Sequence, residues 1–149
     1  MKIIFFVNKS VNSATARFRG YLFSKKLKES YITKVIKIDE IYNRYEFNFS
    51  RLKKLYLNYR YIKNQNQNNI IYLVKTVYNF DFLLIIIFLK FFYKKKIIFD
   101  FDDAIYIKPF TKLSTIILTS ISDIVIVGSN TLYKWSKKKN IKTYKLPTS

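Results

Sequence analysis

Asp100 lies within the end of the largely apolar run from Lys96 to Phe101 and Asp102 and Asp103 follow it directly, and carboxylates in that position sit where a ligand, a metal or a proton acceptor would be needed. Asp102 and Asp103 are the candidate catalytic pair. The chain has no His and no Cys, which excludes thiolate nucleophiles, Cys- or His-based zinc sites, disulfides and every Ser-His-Asp or Cys-His mechanism. A catalytic base must therefore be a carboxylate, Lys or Tyr. A competing structural role is that Asp102 or Asp103 caps the following turn by accepting backbone N–H groups.

Three further segments carry polar groups suited to binding substrate. The stretch Ser13-Ala14-Thr15-Ala16-Arg17-Phe18-Arg19-Gly20 lies between the first apolar run and the first helical pattern. There, Ser13, the guanidinium forks of Arg17 and Arg19, and helix-terminal N–H groups can hold a phosphate or carboxylate. The alternative is that both arginines pair with the Asp100–Asp103 cluster. Lys75 ends an otherwise apolar run and directs an ammonium to the same place, or is a solvated strand-end lysine. Gly128, Ser129 and Asn130 follow another apolar run, where Gly permits a tight turn and Ser129 or Asn130 starts a helix. Neither GxGxxG nor a Walker A run occurs, so ATPase activity and Gly-rich dinucleotide binding are not expected.

The elements that would position these residues alternate. Residues 2–7 form a strand suited to burial on both faces, and a helix follows from about Thr15 to Lys28. Lys34–Ile38 reads as a second strand. Ser50 can cap a helix whose Leu52, Leu55, Tyr56, Tyr59 and Ile62 make one stripe, ended by the Asn/Gln tract at 64–69. Strands then read at Ile70–Val74, Lys96–Phe101 and Ile124–Val127, with a short one ending near Leu146. Between them lie helices over Phe80–Tyr93, Thr111–Ser120 and Asn130–Lys139. Right-handed crossovers turn such alternation into an α/β, three-layer, Rossmann-like parallel sheet of about five or six strands, with the first strand central, in a single domain. Ligands in such sheets bind at the strands' carboxyl ends, which gathers residues 8–19, 75–78, 100–106 and 128–130. Arg17, Arg19, Lys75, Asp102 and Asp103 should border one crevice.

The chain's 149 residues suit one domain, half of them hydrophobic, with 14 Phe and 13 Tyr but only two Gly and two Pro. Disorder does not fit. The net charge of +19 draws attention to nucleic acid, phospholipid or phosphate-bearing substrates. Lys, Asn, Ile, Tyr and Phe are abundant together, however, as a compositionally biased genome would make them. Only five of the 28 basic residues are Arg, so nucleic acid is a minor expectation. The opening Ile3–Val7 run is too short for a signal peptide core of about 7–15 residues. Phe80–Tyr93 is short of the roughly 20 residues a spanning helix needs and contains Lys90. A peripheral contact with an anionic membrane, helped by Lys94–Lys96, competes with simple burial of that helix against the sheet.

The ordered set Ser-x-x-x-Arg-x-Arg-Gly, a strand ending in Lys75, then IIFDFDDAIY, SDIVIVGSNTLYKWSKK and YKLPTS resembles the glycosyltransferase family 4-like N-terminal domain over most of the chain. Asp100–Tyr106 and Ser122–Leu132 are its most specific parts. The resemblance implies the acceptor-side half of a GT-B enzyme in the cytoplasm or peripheral on the inner membrane face, transferring sugar from a nucleotide-sugar to a glycan or lipid-linked acceptor without metal or other cofactor. It also implies that the C-terminal donor-binding domain is absent from residues 1–149, as a truncated product or a split enzyme whose partner is a separate donor-binding chain, and that the isolated chain is inactive. Asp100-x-Asp102 also matches the metal-binding DxD of GT-A glycosyltransferases, but that fold is larger and mixed in its sheet, so no metal site is assigned. The alternative function is a catalytically silent basic protein lying on anionic membrane.

Overall fold

A computed structural model describes residues 1–7, 13–38, 49–64, 68–75 and 80–147. Its strands are β1 (Lys2–Val7), β2 (Ile32–Lys37), β3 (Ile70–Val74), β4 (Lys96–Phe101), β5 (Ile124–Val127) and β6 (Thr143–Lys145). A π-helical stretch, Ala16–Leu22, runs into α1 (Phe23–Leu27), followed by α2 (Phe49–Lys63), α3 (Phe80–Phe92), α4 (Pro109–Ile121) and α5 (Asn130–Lys137). The six strands form one parallel sheet in the order β2-β1-β3-β4-β5-β6. The α/β Rossmann-like architecture expected from the alternation is therefore the one observed.

The central placement of the first strand is corrected: β1 lies second from an edge. Only the β1-to-β2 connection steps one way, while every later crossover steps the other way, leaving β3 and β4 in the middle. Handedness then dictates the layers. One face, carrying Ile4, Phe6, Ile71 and Phe99, packs against α2 to α5, while Phe5, Tyr72 and Val74 on the other meet the π-helical stretch and α1. Among the described residues helices cover both faces, α2 to α5 on one and only the π-helical stretch with α1 on the other.

Three other local readings change. The second strand begins at Ile32 rather than Lys34 because its edge position needs no buried start; Ile32 is exposed. Ser50 lies inside α2, which starts at Phe49, so it is not the residue that precedes the helix; its side chain falls outside the described residues. Lys95 is buried, unlike exposed Lys94 and Lys96, because Lys94 adopts a left-handed conformation (φ 50°) that folds the chain back after α3 and lets the Lys95 N–H donate to the Leu89 carbonyl at 3.2 Å.

Side chains finish the helix ends. Asn140 donates to the Thr119 and Ser122 carbonyls at 2.9 and 2.6 Å, satisfying acceptors that the end of α4 leaves open. Asp123 accepts from the Ile97 N–H at 2.7 Å and from Lys90 at 2.6 Å, tying α3 to the start of β4. The buried hydroxyls of Thr115 and Thr119 donate one turn back within α4, each at 2.7 Å.

Gly20 shows how closely the π-helical stretch sits on the sheet. A Cβ there would lie 2.8 Å from Cγ2 of buried Val7. Gly20→Ala is expected to cost about 1–3 kcal/mol through overpacking, read as a lower denaturant midpoint at unchanged slope. An unchanged midpoint would show that β1 yields freely.

Candidate functional site

β4 delivers Asp100 at its penultimate position, on the thinly covered face, in register with Val74 and Ile126. The π-helical stretch turns Ala16, Arg19 and Gly20 inward. Arg19 and Asp100 form a buried ion pair, and the Tyr72 hydroxyl donates to the second carboxylate oxygen at 2.7 Å. The remaining Arg19 amino group donates to the Leu146 carbonyl at 2.6 Å, so a single guanidinium joins the first helical segment, β4 and the chain beyond β6. Burial pushes the Asp100 carboxyl up to about 6 against the pull of Arg19 and Tyr72. The Tyr72 phenol is pushed well above its usual range by its own burial and then by the Asp100 charge.

Asp102 and Asp103 diverge beyond the strand. Asp102 accepts from the Thr15 hydroxyl at 2.7 Å, while its other carboxylate oxygen is buried without a donor among the described residues. Asp103 is exposed and pairs with Lys75 at 2.6 Å. Lys75 adopts a left-handed backbone (φ 65°), uncommon without glycine, and its N–H donates to the Asp100 carbonyl at 2.7 Å. That turn aims its ammonium along the carboxyl edge. Both aspartates therefore turn their side chains to neighbouring segments instead of capping the next turn.

Gly128 closes this edge from β5. It has no positive φ, so the tight-turn explanation is replaced by one of space: a Cβ would lie 3.1 Å from Asp102 Cβ and 3.2 Å from an Arg19 amino nitrogen. Ser129 starts α5, its hydroxyl accepting from the Leu132 N–H at 3.3 Å. Asn130 accepts from Lys145 at 2.8 Å. The loop after Asp103 is held by Tyr106, whose ring stacks on Trp135 at 4.1 Å.

The structure thus brings Arg19, Lys75, Asp102, Asp103 and Gly128 to one edge, with Ser129 and Asn130 beside them. Ser13 contributes its carbonyl to the Arg17 N–H at 2.8 Å. Arg17 is exposed, lies over the Phe18 ring at 4.9 Å and forms no ion pair with Asp100, Asp102 or Asp103. Of the two arginines only Arg19 meets the acidic cluster. Residues 8–12 and 76–78, expected at the same edge, lie outside the described residues. Thr15, Tyr72 and Leu146 complete the contacts without having been singled out; the one available signal was Tyr72, a polar-tipped ring within IIYLV.

Arg19, Tyr72, Asp100 and Leu146 also line a cavity of about 130 Å³ with Phe18, Phe23 and Pro147. That is below the roughly 300–1,000 Å³ of ligand pockets. Among the described residues no three acidic side chains converge as metal ligands. Fold and edge together define a parallel, Rossmann-like α/β domain with a polar cluster at the carboxyl ends of β3, β4 and β5. No protein-family model and no curated protein matches the chain.

Proposed function

We propose that this chain is the acceptor-side domain of a GT-B-type glycosyltransferase that works with a second, donor-binding domain to move sugar from a nucleotide-sugar to a glycan or lipid-linked acceptor. The observation that carries the reading is the carboxylate oxygen of Asp102 that has no donor among the described residues, beside the bare backbone of Gly128 at the carboxyl edge. A buried acceptor of this kind calls for a hydroxyl or a water. In this reading an acceptor hydroxyl takes that place, with Asp103, held by Lys75, as proton acceptor and exposed Arg17 available to a phosphate. Arg19 serves the architecture, since Asp100 and Leu146 occupy it. The reading also implies a cytoplasmic reaction.

The donor's leaving phosphate must be stabilised while acceptor and donor are held in line, and such positioning accounts for roughly 7–11 kcal/mol of barrier. That step belongs to the donor-binding domain. The purified chain is therefore expected to bind an acceptor weakly and to transfer no sugar. The test offers it labelled nucleotide-sugars and a panel of sugar and lipid-phosphate acceptors, with and without a separately supplied donor-binding domain. Asp102→Asn is expected to weaken acceptor binding roughly tenfold to a hundredfold, the worth of one charged hydrogen bond. Turnover by the chain alone would defeat the division of labour, and acceptor affinity unchanged in Asp102→Asn would remove its proposed anchor.

A further inference from the structure

The α2–α3 surface is apolar and open to solvent. Leu52 and Tyr56 from α2 and Leu84, Phe88, Phe91 and Phe92 from α3 help line an apolar cavity of about 910 Å³ that opens to solvent. Phe91 and Phe92 are 63% and 72% exposed, although the same helix buries Phe82, Leu83, Ile86 and Leu89 toward the sheet. Burial and surface contact are therefore not competing explanations for this helix: its two sides do different things. Patches of this kind mark docking sites.

Charge identifies the occupant. Lys53, Arg60 and Lys63 on α2 and Lys94 and Lys96 after α3 are exposed, whereas Asp81 is the one acidic residue in either helix. Lys90, which interrupts the apolar sequence of α3, is held by Asp123 at 2.6 Å. Both helices precede strands of one parallel sheet, so their C-terminal ends, with Lys63 and Lys94, lie toward the same edge. Lys63 sits over the Tyr93 ring at 5.5 Å, and the Tyr93 and Tyr59 hydroxyls meet at 3.2 Å, making an aromatic rim with cations beside it. A second copy would set one +19 chain against another. Among the described residues no helix is long and apolar enough to cross a membrane.

We infer that the α2–α3 face docks in the plane of an anionic lipid bilayer, placing Phe88, Phe91 and Phe92 among the acyl chains and the flanking lysines among the headgroups. The inference is independent of the transferase reading, because a catalytically silent chain would bind in the same way. The probe is vesicles of phosphatidylcholine alone or mixed equally with phosphatidylglycerol, scored by sedimentation. Wild-type protein is expected to sediment only with the anionic vesicles and to be released as salt shortens the screening length. Phe91→Ser/Phe92→Ser is expected to weaken binding roughly tenfold or more, from lost apolar burial. Lys63→Gln/Lys94→Gln should lose affinity for anionic vesicles and, as both residues are exposed, serves if the first variant melts abnormally. Absence of vesicle binding would overturn the inference, as would affinity unchanged in both double variants. Carbonate-resistant binding would rule out in-plane docking, and a lipid-free dimer abolished by the Phe substitutions would make a second copy the occupant.

Discussion

Arg19→Met is expected to lower the thermal midpoint by about 6–20 °C at neutral pH, whereas Arg17→Met should move it by no more than about 2 °C. Methionine keeps an apolar stem but leaves Asp100 buried without its counter-ion and the Leu146 carbonyl without its donor. Removing one member of a buried pair costs about 3–5 kcal/mol, and a domain of this size loses about 2–4 °C per kcal/mol. Arg17 is exposed, and surface substitutions are usually worth within about 0.5 kcal/mol. The loss in Arg19→Met should shrink on acidification, as Asp100 takes a proton and ceases to be an unpaired charge. Calorimetry or circular dichroism melts of both variants decide. Equal, small shifts would mean that the Arg19–Asp100 pair contributes little to the fold.

Asp100→Asn is expected to flatten the dependence of stability on pH between about 4 and 6. The Asp100 carboxyl is raised from 3.8 to about 6, so the folded chain holds this proton more tightly than the unfolded chain does. Its contribution is fully present below 3.8 and is lost as pH rises through about 6. The size is on the order of 3 kcal/mol, since each tenfold gain in proton affinity is worth about 1.4 kcal/mol. Asp123 acts in the opposite sense. Burial raises its carboxyl, but hydrogen bonds from Lys90 and the Ile97 N–H outweigh that and set it below 3.8, so the stability it adds disappears only at lower pH. The two windows do not overlap. Denaturant titrations across the pH range should show wild type losing Asp100's share as pH rises, with Asp100→Asn nearly level; parallel curves would sink the assignment to Asp100.

Burial explains which parts of the fold could be read directly. Ile70–Val74, Lys96–Phe101 and Ile124–Val127 have the bounds expected from their apolar runs, since strands covered on both faces admit few polar interruptions. Ser129 was legible for a different reason: a hydroxyl before an amphipathic segment satisfies an N–H within the next few residues. Edge strand β2 was less legible, because exposure removes the demand for apolar residues at its start.

The amino-acid pattern alone determined alternating elements, a parallel α/β sheet, and the placement of the segments carrying Arg17 and Arg19, Lys75, Asp100–Asp103 and Gly128–Asn130 at its carboxyl edge. All of these follow from local periodicity and chain direction. Tertiary structure decided the order that moved β1 from the centre, because apolar strands of similar length do not encode their neighbours. It also decided that Arg19 turns inward while Arg17 stays in solvent, through the seating of the π-helical stretch on Val7. The Arg19–Asp100–Tyr72 cluster depends on contacts 81 and 28 residues apart in the chain, which no local spacing reveals. Charge along the sequence was equally silent about Lys95, since a left-handed Lys94 turns that one ammonium-bearing residue of the run into the interior and leaves its two neighbours in water.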